Sequence, residues 1–465
     1  LYSLSKIEMS TKKIHFIAIG GNVMHNLAID AAQKGCQVTG SDDEIYEPSR
    51  GRLAQAQLLP AEVGWFPEKI TQDLNAIIVG MHARKDNPEL LRAQELGLQI
   101  LSFPQYIYQQ SEDKQRIVIT GSHGKTTITA MVMHVLRQLG RKFDYVIGSQ
   151  VVGFEHLVRL SADAPTIIIE GDEYFAAPFD PTPKFLHYQH HIGLISGIAW
   201  DHMNVYPTFE AYVDPFEQFA DNTPKAGALV YSQDDSIASV IGANEREDII
   251  QVGYQAHPHK IVDGITYLTF KGDRIKVQFF GEHNLKNVSG AKAICTRMSI
   301  ADEDFYKAIS SFKGASRRLE RIAEQSDFTL FKDYAHSPSK VLATTAAVKK
   351  QFVERKLIAC FELHTYSSLN KDFLPQYRDS LNAADKAFVF YNPEAVAIKK
   401  MPELTPEDIA EAFDHDNLQV FNDIAVLKAH LLTINWHNRN LLMMTSGSFN
   451  NLDWNTLGQD ILAKL

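Results

Sequence analysis

Cysteine is scarce: Cys36, Cys295 and Cys360 are the only three in 465 residues, and they lie far apart. They have no metal-ligand spacing and imply no disulfide framework, so a reducing cytoplasm is the expected compartment. Long apolar runs are also missing, and none approaches the ~20 residues needed to span a bilayer. Residues 1–13 are polar and lack a signal-peptide core. They read as a leader or disordered start, with Met9 as the candidate native beginning. Positive charge is in deficit: 46 Lys and Arg against 56 Asp and Glu give a net charge of −10, which argues against general nucleic-acid binding. Short repeats and low-complexity tracts are absent. What is left is 45% hydrophobic and 22% charged, the composition of a globular protein with length for two to four domains.

The most informative stretch is Ile117-Val118-Ile119-Thr120-Gly121-Ser122-His123-Gly124-Lys125-Thr126-Thr127. A β-rich run meets a glycine turn, a lysine and two threonines. Ile128, Met131, Val132, Val135, Leu136 and Leu139 then recur at helical spacing up to Gly140. This is the layout of a phosphate-binding loop. The glycines let backbone N–H groups approach phosphate oxygens, and the helix N-terminus favours anions. Lys125 neutralises phosphate charge, and Thr126 can reach Mg²⁺. Only two residues separate Gly121 from Gly124, where the general motif has four between its glycines.

Other segments place chemistry at strand ends. Residues 14–19 read as a buried strand before Gly20-Gly21, with a helix to Gly35 and a strand leading to Ser41-Asp42. An acid about twenty residues after the glycines suggests a Rossmann-like nucleotide site. Ala18 and Val23 replace two glycines of the full dinucleotide fingerprint, so a dehydrogenase reading is weak. Strands are expected at 76–79 and 99–101, with Asn87-Pro88 opening a helix between them. Further on, Thr166–Ile169 leads to Glu170-Gly171-Asp172-Glu173-Tyr174, where an acid can hold Mg²⁺. The expected strand 192–198 ends near Asp201-His202, candidates for the same cleft. His187, His190 and His191 lack a cysteine or acid at ligand spacing and do not make a zinc site. Gly281-Glu282-His283-Asn284-Leu285-Lys286-Asn287 opens a helix. Arg318 precedes a third strand–helix array carrying Asp333-Tyr334-Ala335-His336, Glu362-Leu363-His364-Thr365-Tyr366 and Ser446-Gly447-Ser448-Phe449. The class is therefore α/β with mostly parallel sheets.

In this order, these motifs resemble those of the Mur ligase family, from about Ile14 to near the C-terminus. The resemblance implies three domains: a Rossmann-like UDP-sugar domain (14–112), a P-loop-type ATPase domain (113–316) and a Rossmann-like C-terminal amine-substrate domain (317–465). It implies ATP and Mg²⁺ as cofactors and amide formation through an acyl phosphate. ATP would be bound by Gly121, Ser122, His123, Gly124, Lys125, Thr126, Thr127, His283, Asn284, Asn287, Arg318 and Asp333. Lys125, Glu170, His202, Arg318 and Asp333 would carry the catalysis, with Thr126, Glu170 and His202 on the metal. Gly20, Gly21, Asn22, Ser41, Asp42 and His82 would lie at the UDP-sugar, and His336, His364 and Tyr366 at the incoming amine.

Within the family, two kinds of ligase take UDP-N-acetylmuramate, one adding L-alanine and one adding the recycled tripeptide L-alanyl-γ-D-glutamyl-meso-diaminopimelate. Val38-Thr39-Gly40-Ser41-Asp42 with Ile45-Tyr46-Glu47-Pro48 resembles the tripeptide-adding kind. So does Glu170–Tyr174 with Phe179-Asp180 and Lys184-Phe185. His364 and Tyr366 resemble the alanine-adding kind. The remaining alternative is a non-enzymatic, nucleotide-switched binding protein, which would have no need of the Asp-His and C-terminal motifs.

Overall fold

A computed structural model describes residues 11–200, 205–314 and 319–465. The chain divides into two compact units, 1–255 with 286–309 and 256–285 with 310–465. Both are mixed α/β with largely parallel sheets.

The first unit holds two parallel sheets. The smaller runs Gln37–Ser41, Lys13–Ile17, Ala76–Val79, Ile100–Ser102 in spatial order. The larger has seven strands, in the order Ile250–Tyr254, Ala228–Ser232, Ile192–Ile195, Gln115–Thr120, Thr166–Glu170, Asp144–Val146, Val158–Arg159. Only its last pair is antiparallel. The central strands read as continuous apolar runs because helices cover both faces: Ile117, Val118, Ile119, Ile167, Ile168 and Ile169 are all fully buried. One apolar core joins the two sheets, from Phe16, Leu27 and Ile78 to Val118, Ile169 and Leu229. Each such side chain contributes about 1.5–3 kcal/mol on burial.

The register decides where chemistry can sit. Ile119 pairs with Glu170 and Thr120 with Ile195, so the phosphate loop, the acidic run and residues 196–199 leave the sheet side by side at its carboxyl edge. Open α/β sheets bind ligands at that edge. The expected helix after the loop is Lys125–Gln138, and Ile128, Met131, Val132, Val135 and Leu136 lie on its buried faces. The strand expected over 192–198 stops at Ile195. The next residues leave the sheet to hold the phosphate loop, with Ser196 N–H donating to Thr120 O (2.9 Å) and Ser122 N–H to Gly197 O (2.9 Å).

The second unit has a six-stranded sheet ordered Glu320–Gln325, Phe328–Asp333, Arg439–Met444, Lys356–Leu363, Lys386–Tyr391, Leu418–Phe421, parallel except for the first pair. Alternation along Lys356–Leu363 sends Leu357, Ala359, Phe361 and Leu363 to one core and Ile358 and Cys360 to the other. A three-stranded antiparallel sheet, His259–Val262, Ile265–Phe270, Asp273–Lys276, also belongs here. Its last strand ends at Lys276. Among the described residues no helix is long and apolar enough to cross a membrane.

Candidate active site

Two left-handed glycines shape the phosphate loop. Gly121 has φ 125° and Gly124, which caps the helix, φ 81°. A Cβ at Gly121 would lie 2.3 Å from Ser196 Oγ and 2.9 Å from Gly197 O; one at Gly124 would lie 2.3 Å from Asn287 Oδ1. Backbone conformation and space both demand glycine here. The same contact brings Asn287 against the loop. His283 and Asn284 fall in the second unit, where Asn284 Nδ2 donates to Phe280 O at 2.9 Å. Ser122 supports the loop from within: its hydroxyl bonds Tyr212 OH (2.8 Å) and accepts from Ala199 N–H (2.7 Å). The His123 carbonyl accepts from Ser196 Oγ. Thr127 is buried in the first turn of the helix.

Lys125 Nζ donates to Gly121 O and to Glu173 Oε2, both at 2.6 Å, with the two side chains only 14% and 3% exposed. Burial opposes the lysine charge, but the carboxylates of Glu173, Asp172 and Glu170 outweigh it and hold the pKa above the ordinary value. The ammonium is thus secured on a carboxylate that a phosphate can replace. Sequence reasoning placed Glu173 in the acidic run but missed it as the lysine's partner.

Glu170 stands opposite. Its Oε1 accepts from Thr126 Oγ1 (2.6 Å) and its Oε2 from Gly148 N–H (2.7 Å). Burial pushes its carboxyl up, against the pull of the Thr126 hydroxyl, the Gly148 N–H and Lys125. These residues fit Mg²⁺: a carboxylate and a hydroxyl lie together beside the phosphate loop, and the ion favours oxygen ligands, with substrate phosphates and waters filling its other positions. Asp201, His202 and Arg318 lie outside the described residues. His187, His190 and His191 serve separate partners: Asp180 (2.9 Å), Thr223 Oγ1 (2.9 Å) and the Arg116 N–H (3.0 Å). With Glu170→Gln, the Mg²⁺ concentration for half-maximal rate is expected to rise about tenfold or more, while UDP-sugar affinity changes much less. A Mg²⁺ titration of the rate checks this, and an unchanged midpoint removes Glu170 from the metal site.

At the smaller sheet, Gly20 N–H donates to Asp42 Oδ2 at 2.7 Å. Burial lifts the Asp42 carboxyl to about 6; the Gly20 N–H opposes the rise and Asp43 adds to it. Ser41 pairs with Ile17 in register, and its buried hydroxyl has no hydrogen-bond partner among the described residues. Ala18 adopts φ 65°, so the turn keeps its left-handed residue without glycine, at a cost of roughly 1–2 kcal/mol. Asn22 Nδ2 reaches Gly148 O at 2.9 Å. His82 is exposed.

In the second unit, Asp333 is buried and accepts from Leu319 N–H and Ala335 N–H, both at 2.7 Å. It orders the turn in which His336 Nδ1 bonds Tyr334 O (2.8 Å). A Cβ at Gly447 would lie 2.7 Å from the His364 ring and 2.9 Å from Glu362 Oε2, so these two strand-end loops touch. Tyr366 is 64% exposed, with Lys399 Nζ 5.0 Å from its ring centroid, and Lys399 also donates to His364 O. Three residues without an assigned role in the sequence belong to this cluster. Glu362 accepts from Thr445 Oγ1 and from Phe449 N–H (2.9 Å), Lys399 supplies a cation, and Ser446 has a buried hydroxyl without a partner among the described residues. Glu362 and Ser446 could be found from their strand-end positions. Lys399 sits just after a helix and gives no local signal.

Three family models match consecutive stretches: the Mur ligase family, catalytic domain over residues 13–115, the Mur ligase middle domain over 119–295, and the Mur ligase, glutamate ligase domain over 317–448. The chain is 28% identical over 466 residues to a UDP-N-acetylmuramate–L-alanyl-γ-D-glutamyl-meso-2,6-diaminoheptandioate ligase of Haemophilus influenzae, covering 98% of this chain and 99% of that one. It is 30% identical to a UDP-N-acetylmuramate–L-alanine ligase of Caldicellulosiruptor bescii, covering 81% and 83%. A crystal structure of a murein peptide ligase from Psychrobacter arcticus superimposes with a TM-score of 0.62 at 22% identity, covering 97% of this chain and 98% of that one.

Proposed function

Because this chain belongs to the Mur ligase family, we propose that it joins UDP-N-acetylmuramate to the tripeptide L-alanyl-γ-D-glutamyl-meso-diaminopimelate in peptidoglycan recycling. The family's reaction is ATP-dependent amide formation with release of ADP, and the chain is a ligase of that kind. The observation that carries the reading is the convergence on one loop of a lysine held by a carboxylate and a hydroxyl–carboxylate pair suited to Mg²⁺. The likeness to the Haemophilus influenzae tripeptide ligase along almost the whole of both chains supports the choice of amine. The alanine-adding reading remains the second, favoured by the 30% identity to the Caldicellulosiruptor bescii ligase and by His364 and Tyr366.

In this reading residues 14–112 bind the UDP-sugar, 113–316 ATP and 317–465 the amine. A carboxylate does not acylate amines because its oxygen leaves poorly. Transfer of the γ-phosphoryl group onto it gives an acyl phosphate and ADP. The amine then attacks the acyl carbon, and phosphate leaves. Lys125 exchanges Glu173 for the phosphate oxygens, while the loop N–H groups hold them in place. Thr126 and Glu170, with His202, would hold a magnesium ion, which would neutralise phosphate charge. Asn287 packs against Gly124 and fixes the loop's far side. His336, His364 and Tyr366, with Glu362 beside them, would take the amine. Release of ADP should depend on UDP-N-acetylmuramate, with the amine needed for turnover. ATP hydrolysis at one rate with or without the UDP-sugar would mark a nucleotide switch instead.

A further inference from the structure

The helix Asn22–Gln33 starts directly after the Gly20-Gly21 turn. Asn22, Asn26 and Asp30, at i, i+4 and i+8, share one of its faces. Each bonds backbone of the segment 148–160, which carries the edge strand Val158–Arg159 of the phosphate-loop sheet. Asn22 Nδ2 donates to Gly148 O (2.9 Å), Leu157 N–H to Asn26 Oδ1 (3.1 Å) and Leu160 N–H to Asp30 Oδ1 (2.9 Å). Gly148 is the junction: its carbonyl is held by Asn22, and its N–H holds Glu170 Oε2 at 2.7 Å. Glu170 Oε1 in turn receives Thr126 Oγ1 at 2.6 Å. Three hydrogen bonds thus link the first residue of the nucleotide-loop helix to the second residue of the phosphate-loop helix. A Cβ at position 148 would lie 3.3 Å from Glu170 Oε2, so the carboxylate would have to shift by a few tenths of an ångström.

We propose that Asn22 and Gly148 are positioning residues that couple UDP-sugar binding to the orientation of Glu170, and so to binding of the magnesium–nucleotide complex. This rests on the assignment of the Gly20-Gly21 turn to the UDP-sugar and of Glu170 to the metal. A uridine diphosphate on that turn restrains Asn22, which restrains the Gly148 carbonyl. The adjoining N–H then keeps one Glu170 oxygen occupied, leaving the other to exchange Thr126 for the ion. A ligand can favour such an arrangement only through differential contacts, and the effect is reciprocal.

The test is calorimetric titration of the full chain with UDP-N-acetylmuramate, with and without Mg²⁺ and a non-hydrolysable ATP analogue. In the wild type the UDP-sugar Kd should fall about tenfold when the magnesium–analogue is present, and the analogue's Kd should fall by the same factor when the UDP-sugar is present. Asn22 is exposed, so Asn22→Ala should fold. In it the ratio of the two Kd values should approach one, whatever happens to either affinity alone. Gly148→Ala should do the same from the other side. Arg52→Ala, which breaks a bond from the helix Ser49–Gln55 to Gln150 (3.1 Å) in the same segment, should keep the wild-type ratio. A wild-type ratio of one with both ligands bound overturns the coupling and leaves the proposed reaction standing. A ratio lost equally in Arg52→Ala overturns the assignment to Asn22 and Gly148. No binding of UDP-N-acetylmuramate to the wild type overturns the proposed function and, with it, this inference.

Discussion

Lys125→Ala is expected to lower the ligation rate by about 10²–10³ at saturating ATP, the usual cost of one preorganised contact to developing charge. The structure adds a second consequence. Lys125 is ion-paired to Glu173 at 2.6 Å with both side chains largely enclosed. Its removal takes the lysine from a buried carboxylate, which costs about 3–5 kcal/mol of stability. A lower melting temperature could then be mistaken for the cause of inactivity. The double variant Lys125→Ala/Glu173→Gln separates the two effects. It should recover most of the lost stability and none of the lost rate, measured by thermal melting and by ADP release at saturating substrates. Recovery of rate along with stability would mean that the lysine acts through the fold alone. Near-wild-type turnover in Lys125→Ala would end the phosphate-loop assignment.

Local order made parts of this molecule legible. The strand Gln115–Thr120, the two glycines and the helix Lys125–Gln138 are consecutive, and each is specified by its own residues. Residues brought together at strand ends were legible in a weaker sense. Glu170 lies 44 residues beyond Thr126, yet a parallel sheet places such ends side by side. The supports were not legible. Nothing in the sequence joins Ser122 to Tyr212 ninety positions later, or Asn22 to Gly148 at a separation of 126. Such bonds follow from how helices and sheets pack, and an isolated Asn or Tyr carries no mark of them. The early end of the strand at Ile195 has the same origin, since residues 196–199 are taken from the sheet to hold the loop. Ala18 shows the converse. The fingerprint lacks a glycine at Ala18, yet the backbone keeps φ 65°, with Ala18 N–H and Ile19 N–H both bonding Ser41 O (2.9 and 3.1 Å).

The second large effect concerns the amine, and it bears on the central claim. The tripeptide differs from alanine in its additional carboxylates and a distal ammonium. The cluster at the strand ends of the second unit offers both signs of charge: Glu362, buried and bonded to Phe449 N–H, and Lys399, whose pKa burial lowers against the pull of Glu362. Contacts to these remote groups can hold the reacting α-amine against the acyl phosphate, so their binding energy appears in the rate. Alanine lacks the remote groups and would leave their partners unpaired. Sites built around such polar groups reject analogues that lack them by large factors. The deciding measurement is kcat/KM for the tripeptide and for L-alanine at saturating ATP and UDP-N-acetylmuramate, with the products weighed by mass spectrometry. The account predicts a preference for the tripeptide of about 10²-fold or more. A preference for alanine would contradict it and make this chain an alanine-adding ligase with the same phosphate-loop chemistry.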